Sequence, residues 1–504
     1  MTTASLFIDP SFVIAPVNRR TFGSFVEHMG RCVYTGIYEP GHPTADADGF
    51  RGDVLDLVRE LGVTVVRYPG GNFVSGYRWE DGVGRPSERP TRLDPAWKTI
   101  ETNQFGLDQF VRWAARADVE TMLAVNLGTR GMQEAIDLLE YCNHPAGTHL
   151  SDLRVNNGAK EPHNIRMWCL GNEMDGPWQL GHKSAAEYGR LAAETARALR
   201  QYDETLELVA CGSSYRSMPT FGAWEATVLE HTYDVVDFIS AHAYYELEGD
   251  DLASFLASSV DMDGFIHDVV ATADHVAARL SSSKRINISF DEWNVWYLKK
   301  LKAEGMPADW TEAPRLSEDA YTVADAVVVG SLLVTLLRHS DRVTSACQAQ
   351  LVNSIGSIRS EPGGPAWRQS IFHPFAQMAA LAKGTVLRSE IKAPTYETAR
   401  YGAAPVIDTV ATYDEEQARL TVFTVNRHPS EAVTFEVDLR AFPGARLEHA
   451  TVLADDDWRA ANTMDEPDRV TPQPHGDAQV ADSGLRAVLP PVSWNVFQLA
   501  VERG

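Results

Sequence analysis

From Thr21 to about Val352 the chain alternates short β-rich runs with longer helical ones, eight times over. No other feature limits the fold so strongly. The strand candidates are Thr21–Glu27, Val63–Tyr68, Thr121–Leu127, Ile165–Leu170, Glu207–Cys211, Val235–His242, Ile286–Glu292 and Val343–Gln350. Between them lie the helix-like segments Val54–Leu61, Leu107–Ala115, Met132–Asn143, Ser184–Tyr202, Phe221–Glu230, Phe255–Leu280 and Ser317–Leu337. Several strands are nearly continuous apolar runs, as expected when helices cover one sheet face and a barrel core the other. Eight such alternations predict an α/β fold, a (β/α)8 TIM barrel, over residues 17–380. A doubly wound open sheet is the alternative, but it calls for a glycine-rich phosphate loop after an early strand, and none occurs.

Beyond Leu381 the pattern changes to short alternating runs separated by turns: Val406–Tyr413, Leu420–Asn426, Ala432–Leu439, Leu447–Leu453, Leu485–Leu489 and Val492–Ala500. This predicts an antiparallel β-sandwich, jelly-roll-like, over residues 381–504, with residues 414–417 as a hairpin loop. Ala4–Ala15 also reads as a strand and is expected to join the sandwich, so that residues 1–16 belong with it.

The formal net charge of −24 repels phosphate backbones and anionic lipid heads, so nucleic acid and membrane are not expected partners. Five cysteines, with no CxxC spacing, fit reduced thiols in a cytoplasmic protein better than a disulfide framework. The first ten residues lack a basic stretch followed by a signal-length apolar run. Ala326–Leu337, the longest apolar run, is too short to span a bilayer and reads as a buried helix. Asn287-Ile288-Ser289 fits a glycosylation sequon but falls within a strand candidate, where no glycan could attach.

In barrel enzymes the chemistry sits at the C-terminal ends of the strands. Strand one ends in Glu27-His28, strand two runs into Tyr68-Pro69-Gly70-Gly71-Asn72, and strand three carries Asn126. Strand four ends in Gly171-Asn172-Glu173, strand five in Cys211-Gly212-Ser213, strand six in His242-Ala243-Tyr244, strand seven in Asp291-Glu292-Trp293-Asn294 and strand eight at Gln350. A polar ring at one mouth of an apolar barrel is hard to explain as packing. Hydrolysis of an acetal needs two carboxyl groups on opposite sides of the bond, and Glu173 and Glu292, on strands four and seven, face each other across that mouth. A lone Glu at a strand end is ordinarily a salt-bridge partner; two, flanked by Asn or Trp, point to a catalytic pair. Asn172 suits a sugar hydroxyl, and His242 and Tyr244 could tune the nucleophile or simply pack. Trp97 and Trp296 are candidate stacking platforms or core residues. Glu27 could hold hydroxyls or anchor Arg67 or Arg31. HExxH, GxSxG and GxxxxGK[ST] are absent, and neither a metal nor a cofactor is expected.

These stretches resemble the α-L-arabinofuranosidases of glycoside hydrolase family 51. The likeness is carried, in order, by Phe22-Gly23-Ser24-Phe25-Val26-Glu27-His28, Arg67-Tyr68-Pro69-Gly70-Gly71-Asn72-Phe73, the run from Trp168 to Trp178, Asp291-Glu292-Trp293-Asn294 and Ala349-Gln350-Leu351-Val352-Asn353. The resemblance implies a retaining, exo-acting enzyme for terminal arabinofuranosyl units of arabinose-containing oligosaccharides, with Glu173 as acid/base and Glu292 as nucleophile. It implies that Glu27, Asn72, Asn172, His242, Tyr244 and Gln350 line the sugar pocket and that Trp97 and Trp296 flank the leaving-group side. It further implies an intracellular homo-oligomer, commonly a hexamer. Read without the resemblance, the residues also admit another retaining barrel glycosidase, such as a β-xylosidase or endo-glucanase, or a barrel that only binds carbohydrate.

Overall fold

A computed structural model describes residues 2–481 and 483–502. Eight parallel strands close a barrel: β3 (Gly23–Phe25), β4 (Val65–Tyr68), β5 (Glu120–Ala124), β6 (Met167–Leu170), β7 (Glu207–Ala210), β8 (Phe238–Tyr245), β9 (Asn287–Val295) and β10 (Val343–Ala349), with β10 pairing back onto β3. Two N-terminal strands, β1 (Thr2–Phe7) and β2 (Val13–Pro16), precede the barrel. The outer layer includes α1 (Gly52–Leu61), α2 (Leu107–Ala117), α3 (Met132–Asn143), α4 (His149–Asn156), α5 (Ala185–Tyr202), α6 (Ala223–Thr232), α7 (Leu252–Leu256), α8 (Ser259–Leu280), α9 (Leu298–Glu304), α10 (Val323–Arg338) and α11 (Phe372–Leu381). Phe25, Val65, Met122, Met167, Val209, Phe238 and Cys347 fill the barrel interior, so the barrel is a packed core with its polar ring at one mouth.

The first barrel strand is shorter than its apolar run, because Arg19–Phe22 closes a 3-10 turn whose N-cap, Asn18, accepts from the Arg20 amide. The sixth and seventh barrel strands run further than their patterns suggest, to Tyr245 and Val295, and carry the polar mouth residues within regular strand. Residues 255–280 form two helices rather than one, since α7 stops at Leu256 and α8 starts at Ser259. The last long helix starts at Val323 rather than Ser317; Thr322 caps it, accepting from the Asp325 amide.

The segment read as one strand, Ala4–Ala15, is two strands in two sheets. β1 pairs in parallel with Val433–Asp438 and β2 antiparallel with Thr385–Leu387. The two sheets, of five and seven strands, bury one apolar layer that includes Leu6, Val422, Phe435, Leu485 and Phe497. The Asp414↔Arg419 pair closes the hairpin at residues 415–418. Helix α10 is buried along nearly its whole length. A Cβ at Gly330 would come within 2.5 Å of the Trp494 ring, so barrel and sandwich meet at van der Waals distance along this helix. A helix apolar on nearly every face is what such a position requires. Among the described residues no helix is long and apolar enough to cross a membrane. All five cysteines are buried and free, and Asn287–Ser289 opens β9.

Candidate active site

The mouth is built outward from Arg67, an arginine in an otherwise apolar strand. Its guanidinium is buried; Nη1 donates to Glu292 Oε1 at 2.7 Å and Nη2 to Asn172 Oδ1 at 2.7 Å. One side chain on β4 thereby fixes residues from the ends of β6 and β9. Gly70 and Gly71 let the next turn lie directly on the site. Gly70 has φ +138°, and a Cβ there would stand 2.3 Å from Glu27 Cγ; a Cβ at Gly71 would stand 3.0 Å from Glu292 Oε1.

Asp291 and Glu292 are adjacent on one strand, yet both serve the interior. Ser240 pairs with Ser289 and His242 with Glu292, so β9 carries one extra residue between these pairs. Such a bulge re-aims side chains that would otherwise alternate across the sheet. Tyr244 Oη donates to Glu292 Oε2 at 2.8 Å. His242 bridges Glu173 Oε1 (2.9 Å, from Nδ1) and Asp291 Oδ1 (3.0 Å, from Nε2). Burial disfavours a charged His242, but the Glu292, Asp291 and Glu173 carboxyls outweigh it and push its pKa up to about 10. Both ring nitrogens therefore carry protons near neutrality and donate. Asp291, although buried, is held below the usual carboxylate range by Arg67 and His242.

Glu173 sits in the left-handed backbone region, at φ +43°, where a non-glycine residue is strained and where functional side chains are often held. One oxygen of Glu173, one of Glu292 and one His242 ring nitrogen all lie within 4.8 Å of one another. Burial raises the Glu173 pKa, and the Glu292 charge adds to this against the hydrogen bonds from His242 and Trp178. This trio is also a set of donors that could hold a metal ion. The Arg67 guanidinium at 2.7 Å from Glu292, however, opposes a cation there.

Glu27 takes neither arginine suggested by sequence: Arg31 pairs with Glu318 at 2.6 Å. Its Oε1 accepts from the Phe73 amide (2.9 Å) and the Trp97 indole (2.8 Å), and its Oε2 from Gln350 Nε2 (3.3 Å). Burial pushes its pKa up to about 8, against those donors. Gln350 is thus the strand-eight glutamine at Glu27, whereas Gln348 turns to Asn294 and Ser357. Half-buried Asn72 heads the turn at Phe73–Gly76 with no capping bond from its side chain. Asn126 caps its own loop through the Gly128 and Thr129 amides.

Trp97 is 6% exposed and spends its indole N–H on Glu27. Trp296 is half-buried, meets Tyr244 edge to face at 5.0 Å and donates to Ser317. Sequence reasoning missed a third tryptophan. Trp178 donates to Glu173 Oε2 at 2.6 Å, is 45% exposed, and stacks on Tyr215, itself 39% exposed, at 5.8 Å and 12°. Asp175 holds Ser214 by its amide and hydroxyl and so ties the loops bearing the two rings together. The position of Trp178, five residues after Glu173, was the available signal.

Because the Trp178 indole favours the ionised form of Glu173, Trp178→Phe is expected to raise the Glu173 pKa. The alkaline limb of kcat/KM should then move to higher pH. A pH–rate profile with an unmoved limb would leave Trp178 a surface for ligand and nothing more.

Known proteins match nearly the whole chain. Residues 57–251 match the model of the alpha-L-arabinofuranosidase 1 domain, and residues 291–493 that of the alpha-L-arabinofuranosidase C-terminal domain. The chain is 59% identical to an intracellular exo-alpha-(1->5)-L-arabinofuranosidase of Streptomyces lividans, over 99% of this chain and 76% of the relative. It is 56% identical to an exo-alpha-(1->6)-L-arabinofuranosidase of Bifidobacterium longum, over 98% and 97%. A solved family 51 alpha-L-arabinofuranosidase from Bifidobacterium longum superposes with a TM-score of 0.95 at 50% identity, covering 99% of each chain. The chain belongs to the family 51 α-L-arabinofuranosidases of the glycoside hydrolases.

Proposed function

We propose that this protein is a retaining, exo-acting α-L-arabinofuranosidase in which Glu292 is the nucleophile and Glu173 the acid/base. The observation that carries retention is the carboxyl pair, with one oxygen of each within 4.8 Å of the other. Double displacement uses carboxyls about 5–5.5 Å apart, whereas inversion, which must fit a water between them, uses roughly 6.5–9.5 Å. Glu292 receives two donors, Arg67 and Tyr244, which suit an attacking carboxylate. Burial and the neighbouring negative charge raise the Glu173 pKa, which favours the proton that must be given to the leaving oxygen. In the first step Glu292 bonds to the sugar carbon as Glu173 protonates the departing oxygen. In the second, Glu173 takes a proton from water, which attacks the same carbon and releases Glu292.

A terminal arabinofuranosyl unit carries few hydroxyls, and Glu27, Asn72, Asn172 and Gln350 are their proposed partners. A site built to hydrogen-bond a hydroxyl strongly rejects an analogue lacking it. Relatives named for 1→5 and for 1→6 linkages are almost equally similar. This supports selection at the terminal sugar and tolerance on the leaving side, where the faces of Trp296, Trp178 and Tyr215 offer stacking, with Trp97 behind Glu27. The substrates are arabinose-containing oligosaccharides. The experiment compares 4-nitrophenyl α-L-arabinofuranoside with 4-nitrophenyl β-D-xylopyranoside. The furanoside is expected to turn over far faster, and a xyloside hydrolysed at an equal or higher rate would replace this reading with a xylosidase.

A cytoplasmic setting is supported by relatives named intracellular and by five free cysteines. The protein is further proposed to be a homo-oligomer, as a hexamer. Exposed Phe7, Phe12, Val13 and Ile391 on the sandwich support a covered surface. Light scattering should return a multiple of the chain mass; a single-chain mass at every concentration would reject assembly.

A further inference from the structure

Away from the barrel mouth, α8 and α10 bring a second group of ligand-type side chains together. Asp263 and His267 lie one turn apart on α8, hence on one face of that helix. His339 follows the last residue of α10 and leads into β10. It therefore stands toward the strand's beginning, whereas Glu173 and Glu292 stand at the strands' other ends. His339 Nε2 lies 2.8 Å from Asp263 Oδ1 and His267 Nδ1 lies 3.4 Å from Asp263 Oδ2, so each carboxylate oxygen faces a different imidazole. The two rings meet edge to face with centroids 4.7 Å apart. One donor atom from each of the three residues lies within 4.8 Å of the other two. Nothing in the hydrolytic reading uses them.

The plain alternative is an ion-pair brace between two helices. Asp263 also meets Arg338 Nη2 at 3.5 Å, and that guanidinium opposes a nearby cation. Its Nη1, however, is engaged by buried Asp408 of the sandwich, which Arg427 shares at 3.4 Å, and only Nη2 reaches Asp263. A brace would also need only His339. His267 is 65% exposed and contributes little packing, yet its ring is turned to the same carboxylate. Its Nδ1 donates to the Asp263 main-chain carbonyl at 3.0 Å, which leaves Nε2 as the ligand nitrogen. Two imidazoles and one carboxylate are the donor set of zinc and its neighbours, bound at about 2.0–2.2 Å, with water able to complete the shell on the exposed side.

We propose that Asp263, His267 and His339 form a site for a divalent transition-metal ion of the zinc class. The ion closes three ligands that only the folded chain brings together, so it stabilises the fold. It staples α8 to α10 where Arg338 ties α10 to the sandwich.

The test uses the full chain without a histidine tag, stripped with chelator. It is titrated calorimetrically with Zn2+ and, in parallel, with Co2+ followed by its visible ligand-field bands. One ion per chain should bind at this site, with a rise in the unfolding midpoint. His267→Ala, at an exposed position that does not endanger folding, should weaken binding by at least about tenfold. His267→Ala/His339→Ala should abolish both the binding and the midpoint rise. Glu292→Ala should keep them, which separates this site from the Glu173–His242–Glu292 group at the mouth. No ion bound at tenfold excess, or one retained by the double variant, would overturn the proposal.

Discussion

Glu292→Ala is expected to remove arabinofuranoside hydrolysis almost completely, with kcat falling on the order of 10^5-fold on good and poor leaving groups alike. Without the carboxylate no covalent bond to the sugar can form, so an activated leaving group offers no escape. The loss should be of kcat far more than of folding. Arg67 keeps its bond to Asn172 and its neighbour Asp291 at 3.8 Å, so its buried charge is not stranded. Steady-state kinetics on aryl arabinofuranosides, with circular dichroism as the check on fold, would test this. A variant retaining more than about one per cent of its activity on any substrate would remove Glu292 from the nucleophile's role.

Glu173→Ala should behave differently because its two tasks depend differently on the substrate. For a sugar or alkyl leaving group, which departs only when protonated, the loss should be about 10^2–10^4-fold. For 4-nitrophenolate, which departs without a proton, the first step should be nearly intact. The second step still lacks its base, so the glycosyl-enzyme should build up, with a burst of nitrophenol followed by slow turnover and a lowered KM. Comparing arabino-oligosaccharide with the nitrophenyl substrate gives the result directly. Equal losses on both would reverse or refute the assignment.

How much of this was legible beforehand follows physical lines. The barrel was readable because buried parallel strands must be apolar on both faces, and eight such runs leave few folds available. The polar mouth was readable because residues such as Glu173 and Glu292 interrupt those runs. The split of Ala4–Ala15 between two sheets was not legible, since local alternation says nothing about which partner a strand finds. The extra residue in β9, which lets Asp291 and Glu292 serve one site, is a matter of register with β8 and invisible in one strand's sequence. Arg67 read as a partner for Glu27, because only packing reveals that β4 aims it at Glu292. Trp178 and Tyr215 lie on separate loops, and their stack depends on the Asp175–Ser214 tie. Trp97 carries a task that its place in the sequence does not show: its indole N–H holds the Glu27 carboxylate.

The most direct test of the central claim is to find where the sugar is attached. Glu173→Ala should be mixed with 4-nitrophenyl α-L-arabinofuranoside, quenched in acid during slow turnover, digested with pepsin and mapped by mass spectrometry. One arabinosyl group per chain is expected, esterified to Glu292 in the peptide spanning β9. An adduct on any other residue, or a nitrophenol burst with no adduct at all, would contradict it.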